Sequence, residues 1–296
     1  MVLILGASSF IGRRLFEAIG PSAAIGTHCS HPVAGSVAFD ATRMRLDEII
    51  PRSEAIRHAV VCFAAANRDA CKADRARSEE LNVRRTIVVL DALIRMGITP
   101  IFLSSEYVFD GTRGRYTEAD TPNPTTVYGS QKRAVERYLE ARTQDFVILR
   151  LAKVFGTDPD DGTILSTWIG QVRRGEEIRA ARDQVFSPIH VSDVVAVIQA
   201  VIRQRFRGVF HVGGPEPWSR LGMLQALLRC LDADARVIEC SLRDLVFLDH
   251  RPLNLSLNPR KILEATGLTF RSVPSCCEEM ARKAGLLRSG MVEVNE

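Results

Sequence analysis

Tyr128 and Lys132 stand four residues apart in Tyr128-Gly129-Ser130-Gln131-Lys132. On a helix this spacing puts both side chains on one face, within reach of a single bound molecule. A free phenol, with a pKa near 10, is a poor acid–base group at neutral pH. A neighbouring ammonium favours the phenolate and brings the group towards the working range. Upstream, Phe102-Leu103-Ser104-Ser105-Glu106-Tyr107-Val108-Phe109-Asp110-Gly111 ends an apolar run in adjacent hydroxyls. At the carboxyl edge of a parallel sheet, where ligands of such folds bind, Ser105 is placed to hold a carbonyl and stabilise charge developing on its oxygen. Alone, either feature reads as well as a solvated pair or a serine-terminated strand. Their order and separation suit one catalytic cleft.

A second cluster lies at the start of the chain. Leu3-Ile4-Leu5-Gly6-Ala7-Ser8-Ser9-Phe10-Ile11-Gly12 reads as strand, tight turn and helix. Gly6 permits the turn, Gly12 permits close helix–sheet packing, and the free N–H groups from Ser8 to Gly12 face a pyrophosphate. Ser9 replaces the usual middle glycine, so its side chain either crowds the phosphates or donates to them. The expected second strand ends in Gly26-Thr27-His28-Cys29-Ser30-His31 without the acidic residue that binds an unphosphorylated adenosine ribose. His28 and Ser30 can donate hydrogen bonds and Arg13 adds charge, so NADP(H) is favoured over NAD(H). Asp40, followed by Ala41, is placed either to accept from the adenine amino group or to cap the following helix. With this cofactor, the cationic nicotinamide adds to the ammonium in favouring the Tyr128 phenolate, and Lys132 can also hold the nicotinamide ribose.

The elements that must position these residues follow from the apolar pattern. Brief apolar runs at 2–5, 23–27, 59–63, 98–103 and 146–149 alternate with helical patterns at 10–19, 78–96 and 128–142. Runs of that length suit strands covered on both faces, and the alternation predicts an α/β, Rossmann-type doubly wound parallel sheet. After Gly156 the rhythm changes: helices are expected at 163–174, 191–203 and 221–231, a strand at 209–212, and fraying over 286–296. The division expected is a nucleotide-binding part over 1–156, to which later segments return, and a mainly substrate-binding, smaller C-terminal part over 157–296.

Composition narrows the function classes. The chain has 296 residues, 39 Lys+Arg against 35 Asp+Glu, and 46% hydrophobic residues. Its scattered positive charge argues against nucleic acid as a partner. No apolar run reaches the roughly 18–20 residues of a membrane span, and the start lacks the basic leader of a signal peptide. Seven cysteines without a Cys-x-x-Cys pair or nearby histidines suggest neither a disulfide framework nor a metal site. The expected setting is the cytoplasm.

Taken together, these motifs resemble the extended short-chain dehydrogenase/reductase family, and within it the dTDP-4-dehydrorhamnose reductases, over nearly the whole chain. The segment Ser104–Gly111 resembles that group's Ser-Thr-Asp-Tyr-Val-Phe-Asp-Gly. The Tyr128/Lys132 helix, Leu149-Arg150 with Val154-Phe155-Gly156, Asp183-Gln184 with Ser187-Pro188 and Asp193, and Arg251-Pro252-Leu253-Asn254 are further points of likeness. The resemblance implies a catalytic set of Ser105, Tyr128 and Lys132, with hydride passing from the nicotinamide to a ketone carbon as Tyr128 donates a proton. It implies that Ala64, Ala65 and Ser104 lie against the cofactor, and that Glu106 and Lys153 face the substrate, a nucleotide-linked 4-keto-6-deoxy sugar. Lys153 stands where the group commonly has a tryptophan near the sugar. Asn82 matches an asparagine that serves either a proton relay or the structure. A homodimer through helices 78–96 and 128–142 rests on family analogy.

Other readings compete. A sugar-nucleotide dehydratase or epimerase is related, but dehydratases resemble Thr-Asp-Glu at the strand end, whereas here one acid, Glu106, is followed by Tyr107. A non-catalytic NADP-binding regulator similar to the regulatory subunit of methionine adenosyltransferase would keep the same motifs.

Overall fold

The computed structural model describes residues 1–50 and 56–288. Most of the expected fraying over 286–296 therefore falls outside the described residues. In chain order the first part runs β1 (Val2–Leu5), α1 (Phe10–Ile19), β2 (Ala24–His28), β3 (Val37–Ala38), β4 (His58–Val61), α2 (Arg68–Ala73), α3 (Arg75–Glu79), α4 (Thr86–Arg95), β5 (Thr99–Ser105), α5 (Val127–Arg142) and β6 (Val147–Leu151). The second part runs β7 (Val154–Phe155), α6 (Ile164–Arg173), β8 (Ile178–Ala181), β9 (Val185–Phe186), β10 (Ile189–His190), α7 (Val191–Gln204), β11 (Gly208–Val212), β12 (Trp218–Ser219), α8 (Arg220–Cys230), β13 (Val237–Cys240), α9 (Arg260–Thr266) and α10 (Val273–Lys283).

Seven strands form one sheet in the order β11-β6-β5-β4-β1-β2-β3. Every pairing in it is parallel. The chain builds outward from β1 first to one side and then to the other, so the switch point lies between β1 and β4, the doubly wound arrangement expected from the sequence. Every residue of β1, β4, β5 and β6 is buried, which is why these strands read as continuous apolar runs. Alternate residues feed opposite cores. Val2, Ile4, Val60, Ile101 and Leu149 pack with Leu15, Phe16, Val194 and Ile198, while Leu3, Leu5, Val61, Phe102 and Ile148 pack with Leu90, Leu93, Val135 and Leu139. A separate core joins α6, α8 and α10 to β8 around the buried Trp168.

Two details depart from the sequence reading, and both matter for the site. Strand β5 reaches Ser105 and β6 reaches Leu151, each beyond its apolar run, because the polar residues there are buried against partners rather than exposed at loop ends. The helix expected over 78–96 is not continuous: a π-helical stretch, Glu80–Arg85, separates α3 from α4. Asn82 sits in that stretch, buried, and accepts from Ala65 N at 2.8 Å while donating to Ala65 O at 2.9 Å and Gln131 Oε1 at 2.8 Å. The wider turn aims the amide at the loop after β4. Helix α2, short and without apolar periodicity, gave no sequence signal.

Candidate active site

Gly6 adopts φ +91°, a left-handed conformation suited to glycine, and Gly12 packs so closely that a Cβ there would stand 2.1 Å from Gly6 O. Ser9 caps α1, its Oγ accepting from Gly12 N at 3.1 Å. The residue in the middle-glycine position is thus held by the helix it starts, which leaves its hydroxyl proton to donate. A cavity of about 990 Å³ opens over this turn at the switch point, lined by Gly6, Ser8, Ser9, His28, Asp40, Ala41, Ala64 and Ala65. Phe10, Gly12 and Ser30 do not line it, and Ile11 lies instead in the neighbouring cavity. Ser30 Oγ pairs with His31 Nδ1 at 2.9 Å, so it is His31, with Arg43 and Arg77, that joins the lining. Arg13 is exposed and outside it. His28 Nδ1 pairs with Ser36 Oγ at 2.7 Å. Asp40 Oδ1 accepts from Thr42 N at 2.9 Å and Thr42 Oγ1 at 2.6 Å, bonds that keep its carboxyl below the ordinary range. It closes a turn at the cavity wall.

A second cavity, of about 450 Å³, adjoins the first along the segment Ala65-Ala66 and is lined by Ser104, Ser105, Glu106, Tyr128 and Lys153. Thr126 caps α5, accepting from Gly129 N at 2.9 Å, and so fixes the helix start that carries Tyr128. At Gly129 a Cβ would meet Tyr107 O at 2.0 Å; only glycine lets α5 lie this close to the turn after β5. The closeness sets the Ser105 hydroxyl, which accepts from Tyr107 N at 3.3 Å, and the Tyr128 phenol on one cavity wall, and the Tyr128 ring meets that of Tyr107 edge-on at 6.2 Å. Lys132 Nζ lies 5.7 Å from the centre of the Tyr128 ring, and donates to Leu103 O at 2.8 Å.

Burial pushes the Tyr128 phenol well above its ordinary value, opposed first by the Arg68 charge. Burial likewise disfavours the Lys132 ammonium and moves it down to about 8. Glu136 opposes that fall. The Glu136 carboxylate is wholly buried and takes Arg150 Nε at 3.0 Å, Arg150 Nη2 at 2.9 Å and Ser104 Oγ at 2.6 Å. The Ser104 hydroxyl, assigned to the cofactor from sequence, is thus committed to Glu136. Burial raises Glu106 to about 8, countered first by Lys153, and its Oε2 has no partner among the described residues. Lys153 is lowered to about 8, chiefly by burial and then by Arg68 and Arg220.

Sequence reasoning missed several residues of this cavity: Arg68, Arg179, Arg220 and Phe247 join its wall. They come from α2, β8, α8 and a late loop, and no local pattern ties them together. Arg251, noted in the Arg-Pro-x-Asn segment, also lines it and pairs with Asp69 at 2.8 Å.

This geometry can be set beside known proteins. The family described as RmlD substrate binding domain matches residues 1–284. The rat methionine adenosyltransferase 2 subunit beta is 25% identical over 288 residues, covering 92% of this chain and 84% of that protein. A dTDP-4-dehydrorhamnose reductase of Aggregatibacter actinomycetemcomitans is 25% identical over 213 residues, 68% of this chain and 72% of that protein. Among solved structures, a dTDP-4-dehydrorhamnose reductase from Bacillus anthracis in complex with NADP superposes with a TM-score of 0.80 at 22% identity, covering 95% of this chain and 98% of that one. The chain belongs to the RmlD substrate-binding-domain family, within the extended short-chain dehydrogenases/reductases, a class of NAD(P)-dependent oxidoreductases.

Proposed function

We propose that the protein is an NADPH-dependent reductase of a keto sugar linked to a nucleoside diphosphate, with 4-keto-6-deoxy sugars as the starting case. The observation that carries this reading is that Ser105 and Tyr128 line one cavity, with Lys132 Nζ 5.7 Å from the Tyr128 ring, beside the cavity over the glycine turn. The larger cavity takes the dinucleotide, its pyrophosphate over Gly6–Gly12 and its nicotinamide against Ala64 and Ala65. In this reading residues 1–156, with α7, β11 and α9, hold the cofactor, and the core of α6, α8 and α10 supports the sugar nucleotide. When bound, the nicotinamide supplies the hydride to the ketone carbon. Ser105 holds the ketone oxygen, and Tyr128 gives that oxygen its phenolic proton, leaving an alcohol. Lys132 holds the nicotinamide ribose and stabilises the phenolate left behind. His28, His31 and Arg43 face the end of the cavity where an adenosine 2′-phosphate would lie, which favours NADPH over NADH.

The test is NADPH oxidation followed by absorbance across a panel of nucleotide-linked 4-keto sugars, and turnover of at least one is expected. The likeness to methionine adenosyltransferase subunit beta favours a second reading, a regulator that binds NADP without turning over. Tight NADPH binding with no oxidation across the panel would select it.

A further inference from the structure

The smaller cavity holds more positive charge than a nucleoside diphosphate needs. Its wall carries Arg68, Lys153, Arg179, Arg220 and Arg251 against one acid, Glu106. Arg251 is neutralised by Asp69 at 2.8 Å. Among the described residues the other four cations form no salt bridge. Three of them stand close enough to disfavour one another's charge: Lys153 is opposed by Arg68 and Arg220, and Arg220 by Arg68. They cluster at the reacting end. The Arg68 guanidinium lies 5.2 Å from the centre of the Tyr107 ring, the ring that meets Tyr128 edge-on, and Lys153 shares the cavity wall with Glu106 and Ser105. Arg68 Nε is buried without a partner among the described residues.

Gathering desolvated cations without anions is costly, and such arrangements persist where a ligand supplies the missing charge. A diphosphate brings about two negative charges, and Arg179 stands further along the wall to share them. Beside Tyr128 a positive surplus then remains. We infer that the glycosyl group of the substrate itself carries a carboxylate, received by Arg68, Lys153 and Arg220. This rests on the nucleotide-sugar reading above and narrows its substrate class to acidic keto sugars. Lys153 is then a specificity-determining residue, its ammonium on the cavity wall meeting the carboxylate.

The experiment is calorimetric binding of UDP, UDP-glucose and UDP-glucuronate, with dTDP and dTDP-glucose as controls, to the NADP⁺-loaded full-length protein. UDP-glucuronate is expected to bind at least about tenfold tighter than UDP-glucose, the range of one charge-assisted hydrogen bond. Lys153→Met is expected to remove most of that preference while leaving UDP within about twofold, with NADP⁺ binding as the check on folding. Equal binding of the two sugars by the wild type overturns the inference and leaves the nucleotide-sugar reading standing. Equal weakening of UDP and UDP-glucuronate by Lys153→Met assigns the cations to the diphosphate and also overturns it. If no nucleotide of either series binds, the nucleotide-sugar reading itself fails.

Discussion

A proton donor must hold its proton until the moment of transfer, and burial raises the Tyr128 phenol well above its ordinary range. In the proposed reduction the neutral phenol is the form consumed, and burial, by disfavouring the phenolate, keeps Tyr128 in that form. Glu106 gives a prediction from its protonation. Its folded-state value of about 8 lies above the ordinary 4.5, so its contribution to stability is fully present below pH 4.5 and is lost as pH rises towards 8. Lys132 and Lys153, lowered from 10.5 to about 8, stay protonated in both states through most of that window. Glu106→Gln should therefore gain Tm relative to wild type as pH rises from 4.5 to 8, by on the order of a few °C in parallel thermal melts. A constant difference across the window would argue against the raised carboxyl. Arg43 tests the cofactor preference: Arg43→Ala should weaken NADPH by about tenfold and leave NADH nearly unchanged in fluorescence titrations, one lost charge-assisted contact to phosphate.

The elements hold these groups through a few close approaches. Gly12→Ala would drive a methyl into Gly6 O, at 2.1 Å, and α1 would have to move from the turn it caps. NADPH affinity should fall by about tenfold or more in the same titration, since the amides at the helix start would no longer converge on one phosphate. Helix α5 is tied to β6 by the buried Glu136–Arg150 pair at 2.9 Å. Removing one partner leaves an uncompensated charge: Glu136→Ala should cost about 3–5 kcal/mol, read from a shifted urea midpoint, whereas replacing both residues by apolar ones should cost less. This pair is not legible in the sequence, because nothing local ties a helical Glu136 to Arg150, 14 residues further along the chain. By contrast Gly6, Gly12, Tyr128 and Lys132 were legible, since a tight turn and a shared helical face are local properties. Asn82 was legible as a residue but not as a role: both ends of its amide are held, to Ala65 and Gln131, and only the π-helical turn reveals that it secures the loop after β4.

At the scale of the whole molecule, the sheet order follows from strands whose two faces feed two cores, and that pattern was written in the brief apolar runs. The sugar-side wall was not. Arg68, Arg179 and Arg220 are far apart in the chain, and only the packing of the α6, α8 and α10 core beside the sheet brings them onto one cavity. No local periodicity encodes such a meeting. The central claim is that this shared cleft carries out hydride transfer with Tyr128 as the proton source. Its most direct test is the pairing of kcat with NADPH affinity in Tyr128→Phe, using whichever keto sugar nucleotide the wild type reduces. The account predicts a loss in kcat of about 10²–10⁴-fold with NADPH affinity kept within about twofold. A variant that turns over at the wild-type rate would contradict it.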